Sequence, residues 1–107
     1  MSDSTRLDLL KRMLEKEHDD VFLNYALGLE YAKNPENTIL AEVQFKKVTE
    51  LDPAYMAAFY QLGKLLEAQT KLSEALHYYK LGLEIAEKRK ERKAIGEFME
   101  AIFLIED

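Results

Sequence analysis

A leucine–glycine dipeptide occurs twice in this chain of 107 residues, at Leu27-Gly28 and at Leu62-Gly63, 35 positions apart. Both pairs stand inside stretches whose apolar residues recur at helical spacing. A glycine in a helix interior costs about 1 kcal/mol relative to alanine, so each one needs a packing reason. We expect close approach of a second helix, which brings Ala41 and Phe45 to the first glycine and Ala75 to the second. Self-similarity at this period indicates a repeat architecture.

The residues around the two dipeptides resemble the tetratricopeptide repeat, whose pattern runs aromatic, Leu-Gly, aromatic, Ala, aromatic, Pro. The first copy supplies Leu27, Gly28, Tyr31, Ala41, Phe45 and Pro53, and has Asn24 in place of the opening aromatic. The second copy supplies Phe59, Leu62, Gly63, Leu66, Ala75 and Tyr79, and has Glu87 in place of the proline. The resemblance implies an all-α fold, a right-handed α-α superhelix of about six antiparallel helices. Its repeat-packing residues are Leu27, Gly28, Ala41, Phe45, Leu62, Gly63, Ala75 and Tyr79.

Aligned on the repeats, the chain is predicted to be a single domain with a helical cap at each end. Residues 1–19 form the N-terminal cap, residues 20–54 repeat 1, residues 55–89 repeat 2 and residues 90–107 the C-terminal cap. We expect Asp3 or Ser4 to cap a first helix that runs to about Glu17, and Asp19 and Asp20 to open the second. The remaining helices are predicted over 21–33, 36–51, 53–68, 72–89 and 91–105. Asp52 is expected to cap the helix that starts at Pro53.

In the family that this chain resembles, the first helix of each pair lines a concave groove. Carried across by alignment, the groove residues are Phe22, Tyr25, Leu29, Tyr60, Gln61, Lys64 and Glu67. Tyr25 and Tyr60 are 35 positions apart, so the resemblance puts two phenols side by side, and tyrosine is favoured at binding hot spots. We expect this surface to bind a peptide or amphipathic helix. The alternative is that these side chains pack against neighbouring helices, and whether the last helix fills the groove stays open.

The predicted last helix carries more apolar surface than a terminal cap requires. Ile95, Phe98, Ile102 and Ile105 fall on one side, which should cover the second repeat. Met99, Phe103 and Leu104 lie outside that side and indicate a further contact, either back into the groove or with a second copy. The alternative function is therefore a self-associating structural or scaffold protein that forms a homodimer.

Composition excludes several classes of partner. The formal net charge of −5 argues against nucleic acid, because binding there depends on Lys and Arg meeting phosphates. The basic run 88–93 is better explained as a solvated helix end than as a patch for an acidic partner or a lipid headgroup. No apolar run approaches the 18 or so residues of a membrane helix, and no secretory signal is visible at the start. A cytoplasmic location is the default.

Motifs that would carry chemistry are missing from the sequence. Cysteine is absent, and there is no glycine-rich phosphate loop, nucleophile elbow or His-Glu zinc motif. His18 stands among Glu17, Asp19 and Asp20, at a helix boundary where acids serve as caps, and His77 has no partner of note. We therefore predict a non-catalytic adaptor, with no cofactor and no metal, whose partner is another protein.

Overall fold

The computed structural model describes residues 2–106, with side chains for residues 5–106. These residues form six α-helices and one short 3-10 helix, and they contain no strand. The helices are α1 (Ser2–Lys16), α2 (Val21–Ala32), α3 (Thr38–Leu51), α4 (Met56–Ala68), α5 (Leu72–Arg89) and α6 (Arg92–Glu106), and the 3-10 helix (Pro35–Asn37) precedes α3. The predicted all-α class with six helices is confirmed.

The chain divides into two compact units between Pro53 and Ala54. In the first unit, α2 packs against α1 on one side and against α3 on the other. In the second unit, α5 packs in the same way against α4 and α6. Each unit therefore has a central helix with a neighbour on both sides.

Three helix ends have well-defined caps in the structure. The Asp20 carboxylate accepts a hydrogen bond from the Leu23 N–H at 2.8 Å, which makes Asp20 the predicted N-cap of α2. At the end of α4, Thr70 has a φ of 58°, and the Lys71 N–H donates to the Leu66 carbonyl at 2.9 Å. At the end of α5, Lys90 has a φ of 56°, and the Glu91 N–H reaches the Ala86 carbonyl. Both helices thus end in a left-handed residue that satisfies their last carbonyls.

The predicted start of α4 is wrong. Asp52 and Pro53 do not open this helix, which begins at Met56 after Tyr55. Asp52 instead ends α3, because its N–H donates to the Val48 carbonyl at 2.8 Å. The residue before a proline avoids helical backbone angles, and Asp52 has an extended backbone with a φ of −141°. The chain therefore needs three residues to turn before α4 can begin.

Other predicted boundaries shift by fewer residues. Asp3 and Ser4 lie inside α1, which begins at Ser2, so neither is its cap. Pro35 opens a 3-10 turn, and α3 accordingly starts at Thr38 rather than at residue 36. The bounds of α5 agree with the prediction at both ends.

The first unit has a core built mainly from α2. Leu23 and Leu27 pack with Leu10 of α1, and Leu7, Leu14, Ala26 and Tyr31 lie around them. On the α3 side, Ala41, Phe45 and Val48 are fully buried. Fully burying a side chain such as that of Phe45 or Val48 stabilises the fold by about 1.5–3 kcal/mol. Helix α1 thus covers apolar surface that α2 would otherwise expose.

The second unit has a larger core with more aromatic residues. Its buried members are Phe59, Leu66, Ala75, Tyr79, Ala86 and Phe98. The side of α6 that was predicted to face inward supplies Phe98 and, around it, Ile95, Ile102 and Ile105. Helix α6 therefore completes this core, as its apolar periodicity indicates.

Each of the two repeat glycines lies against an aromatic ring. A Cβ atom added at Gly28 would lie 2.5 Å from Cε1 of Phe45, and one added at Gly63 would overlap the ring of Tyr79. The sequence predicted Ala75 as the neighbour of Gly63, but the nearest atoms all belong to Tyr79. Ala75 is buried in the same core. The glycine therefore makes room for a ring, which fills far more volume than a methyl group.

Candidate interaction surface

Three apolar side chains lie along one side of α2, at positions i, i+3 and i+7, and we call them the α2 face: Phe22, Tyr25 and Leu29. Phe22 is 67% exposed, and the other two are half-buried. The Tyr25 ring centroid lies 5.6 Å from that of Phe45, at an interplanar angle of 48°. Phe45 in turn packs on Gly28, so the ring of Tyr25 is held in place by its contact with a buried core residue.

Phe22 also borders a depression between α1 and the start of α2. The depression has a volume of about 450 Å³, and its walls are Met13, Lys16, Glu17, Asp20, Phe22 and Leu23. Met13 is itself 43% exposed. The apolar surface around Phe22 thus continues onto α1, which the alignment with the family pattern did not indicate.

The predicted groove residues of α4 form the α4 face: Tyr60, Gln61, Lys64 and Glu67. The Tyr60 ring is half-buried between two other rings, with its centroid 5.8 Å from that of Tyr79 and 5.6 Å from that of Phe98. Phe98 meets it edge to face, at an interplanar angle of 77°. The Lys64 ammonium lies 5.8 Å from the Tyr60 ring centroid, within cation–π range.

Glu67 is tied to the core through a buried phenol. The Tyr79 hydroxyl donates a hydrogen bond to Oε1 of Glu67 at 2.9 Å. Tyr79 as a whole is 1% exposed. Burial, and then the bond to Glu67 and its negative charge, raise the pKa of Tyr79 above its ordinary value of 10.0. Lys64, Glu67 and Ala68 line a shallow depression of about 350 Å³. The α4 face therefore offers one aromatic ring and two opposite charges.

The two tyrosines are neither free nor fully buried. Each has one side of its ring against an aromatic residue of the next helix, and Tyr60 has a second neighbour in Phe98 of the last helix. Such support holds a ring in one orientation, which reduces the entropy that a binding partner must overcome. The α2 face is therefore suited to contact apolar side chains of a partner, and the α4 face is suited to contact both apolar and polar groups.

One polar feature of the site region is absent from the sequence predictions. Asn24, which replaces the opening aromatic of the repeat pattern, is 1% exposed. Its Nδ2 donates to the carbonyls of His18 at 3.0 Å and Asp20 at 2.7 Å, and its Oδ1 accepts from Nε2 of Gln44. Asn24 thus connects the loop before α2 to α3, a role that only the folded arrangement reveals.

The sequence predictions also omitted an apolar patch on α3. Ile39 and Val43 lie one turn apart on this helix and are 72% and 60% exposed, and Leu40 beside them is 49% exposed. Their spacing of four residues was a usable signal, since it places them on one side of the helix.

Chemistry-bearing clusters are not apparent in the part of the chain that the structure describes. No group of three His, Asp or Glu residues there could hold a metal ion. The Nδ1 atom of His18 lies 3.1 Å from the Asp19 carboxylate, and both side chains are exposed. Over the same residues, no helix is both long and apolar enough to cross a membrane.

Helices joined in pairs, with a glycine of the first beneath an aromatic ring of the second, define a helical-repeat protein. A crystal structure of a tetratricopeptide repeat domain protein from Salinibacter ruber is similar to this chain, with a TM-score of 0.74 and 33% identity over 81% of this chain and 96% of that one. A solution NMR structure of a tetratricopeptide repeat domain protein from the same organism gives a TM-score of 0.76 and 33% identity, over 81% of this chain and 87% of that one. A scan against protein-family models and a search of curated proteins returned no match.

The chain belongs to the tetratricopeptide repeat family. Proteins of this fold are in general protein-interaction modules and are typically non-catalytic.

Proposed function

We propose that this chain is a non-catalytic adaptor that binds a peptide or an amphipathic helix of another protein through the α2 and α4 faces. The observation that carries the proposal is the α2 face, where a largely exposed Phe22 stands in line with the half-buried Tyr25 and Leu29. A continuous apolar stripe on a helix of a water-soluble unit indicates a contact surface. An amphipathic helix binds such an apolar surface through its own apolar residues at i, i+3, i+4 and i+7.

The α4 face supports a partner with polar groups as well. Lys64 and Glu67 are exposed, and both line a shallow depression. Tyr60 beside them presents an apolar ring with a hydroxyl at its tip. A partner with a large apolar anchor and a nearby charged or amide side chain would satisfy this surface, since Tyr combines apolar area with a hydrogen-bonding end.

A displayed library of amphipathic helical and extended peptides tests this proposal. Peptides selected on the wild-type protein are titrated against Phe22→Ser, and against the double variant Tyr25→Ala with Tyr60→Ala. We expect Phe22→Ser to weaken binding by about tenfold or more, because exposed aromatic anchors dominate such contacts. Phe22 is exposed, so this change should leave the helical circular dichroism intact.

Ile39→Ser is the matched control, because Ile39 is equally exposed and apolar but lies on α3. It should bind the selected peptides within about twofold of the wild type. Peptides that bind both Phe22→Ser and the folded double variant as tightly as they bind the wild type would rule out the α2 and α4 faces.

Self-association is a second candidate function. Met99, Phe103 and Leu104 of α6 are 54%, 63% and 68% exposed, so the surplus apolar surface on the last helix faces solvent. Light scattering over a range of concentrations measures whether the mass rises from one chain to two. A single-chain mass at every concentration would remove this candidate and leave the peptide-binding proposal standing.

A further inference from the structure

The outer face of α6 contains a helical glycine with nothing packed on it. Apart from its two chain neighbours and the backbone of its own helix, Gly96 has no heavy atom within 4 Å of the place where a Cβ would stand. Met99 and Phe103 follow it at i+3 and i+7, and therefore lie on the same side of the helix. Both are more than half exposed. We call these three residues the α6 outer face.

The other three glycines of the chain each lie under an aromatic ring. Phe45 covers Gly28, Tyr79 covers Gly63 and Phe98 covers Gly82, and a methyl group at any of these positions would collide with the ring. In every case the ring comes from the helix that follows in the chain. Gly96 is thus the one glycine with no aromatic ring packed against it. Phe103, which is exposed, lies two turns further along the same helix.

We propose that the α6 outer face binds the α6 outer face of a second copy, in antiparallel orientation. The ring of Phe103 in each copy then occupies the space beside Gly96 of the other. This inference rests on the second candidate function, self-association, and specifies its interface.

Complementarity of the face with itself argues for a second copy as the occupant. A twofold axis between residues 99 and 100 places residue 96 opposite residue 103, so both glycine–ring contacts form in one register. The two residues are separated by seven positions, or about 10 Å along the helix. Such an interface is isologous, because the same patch serves in both copies. Close approach of two helices is also easiest where one of them has a glycine.

The charges on α6 favour the antiparallel orientation. The helix begins with Arg92 and Lys93 and ends with Glu106. Antiparallel pairing brings Arg92 of one copy to within one residue of the level of Glu106 of the other, whereas parallel pairing would place like charges together. Glu106 forms an ion pair with Lys80 at 2.9 Å, but its side chain is still 48% exposed and can meet a second cation.

Single cysteines test this geometry directly, since the chain has none of its own. In the proposed register, the two copies of residue 100 lie within about 2 Å of each other along the helix axis, and the two copies of residue 93 about 20 Å apart. Both positions are exposed. Under mild oxidation, Glu100→Cys should form a disulfide-linked dimer, and Lys93→Cys should remain mostly unlinked. Equal or stronger linking at residue 93 would indicate parallel helices and overturn the proposal.

Gly96→Leu tests the empty place beside the glycine. The Cβ of the new side chain meets no other helix of its own chain, and the side chain would occupy the space of the partner's Phe103 ring. We expect the dimer dissociation constant from light scattering to rise by about tenfold or more. Glu84→Leu, the same new side chain at an exposed position of α5, should change it by less than about twofold.

The outcomes separate this inference from the function on which it rests. A dimer that is unaffected by Gly96→Leu and unlinked at residue 100 would keep self-association but overturn the α6 interface. A monomer at all concentrations would overturn both. Dimerisation that is lost in Gly96→Leu, together with linking at residue 100 alone, supports both.

Discussion

Gly63 and Tyr79 lie so close together that a methyl group on residue 63 would overlap the tyrosine ring. The ring therefore packs directly on the backbone of α4. Its hydroxyl donates a hydrogen bond to Glu67, which belongs to the same helix. Gly28 with Phe45 and Gly82 with Phe98 repeat the relationship. Ring-on-glycine packing is thus the contact that joins α2 to α3, α4 to α5 and α5 to α6.

Replacing Gly63 with alanine should destabilise the protein by about 1–3 kcal/mol, because overpacking displaces the Tyr79 ring. In the monomer, the matched change Gly96→Ala should be neutral or stabilise by up to about 1 kcal/mol, because alanine favours the helix and its Cβ meets no other helix of the chain. Urea unfolding followed by circular dichroism measures both. Equal effects at the two positions would contradict the ring-on-glycine explanation.

Phe98→Ala should cost about 3–5 kcal/mol, since the ring is 2% exposed and supports both Gly82 and Tyr60. Met99 is the next residue of α6 but is 54% exposed, so Met99→Ala should change the free energy of unfolding of the monomer by less than about 0.5 kcal/mol. Thermal unfolding of the two variants compares them. A loss at Met99 as large as that at Phe98 would mean that α6 buries a different side.

The raised pKa of Tyr79 predicts a specific pH dependence. Burial, with the bond to Glu67, favours the neutral phenol in the folded state, so the unfolded chain releases this proton at lower pH than the folded one. The resulting stability is fully present below pH 10.0 and is lost as the pH rises beyond it toward the folded-state pKa. The difference in unfolding free energy between wild type and Tyr79→Phe should therefore shrink above that pH.

Phenolate absorbance offers a second measurement of the same effect. In the folded wild type, the phenol of Tyr79 should ionise only above its ordinary pKa of 10.0, which gives a late step in the phenolate absorbance. Tyr79→Phe should remove that late-titrating group. Identical titration curves apart from total amplitude would show that the phenol of Tyr79 is not held by Glu67 and burial.

Asn24→Ala should destabilise the first unit by about 1–3 kcal/mol, because it leaves Gln44 and the carbonyls of His18 and Asp20 without their buried partner. Gln44→Ala removes one of the three hydrogen bonds and should cost less. Chemical unfolding of both variants gives the order. Equal losses for the two variants would show that the bonds to the loop carbonyls contribute little.

Much of the architecture could be predicted from residue patterns. The repeated Leu-Gly pairs and the apolar periodicity led to six helices, the ends of α5 and the inward side of α6. The start of α4 could not be read in the same way, because Asp52 and Pro53 are equally suited to end one helix or to open the next. Which role they take depends on which backbone N–H makes the last hydrogen bond of α3, and in the structure this is the N–H of Asp52.

The candidate surface was predicted less completely than the fold. Alignment named Tyr25 and Tyr60 as surface residues, but it did not indicate that Phe45, Tyr79 and Phe98 would hold their rings. Nor did it indicate that Glu67 would be bound by a buried hydroxyl. These contacts join residues 12 to 38 positions apart, and they depend on how one helix is rotated against another.

By itself, the sequence determined the class of fold and the positions where helices approach closely, because glycine, alanine and apolar spacing act locally along a helix. Only the tertiary structure decided which aromatic ring packs on each glycine and which glycine has no ring packed on it. A helix presents several side chains to its neighbour. Which of them packs on the glycine depends on how the side chains of both helices fit together, and the sequence of one helix does not contain that information. Gly63 and Gly96 are both helical glycines, yet one lies under a ring and the other faces open space.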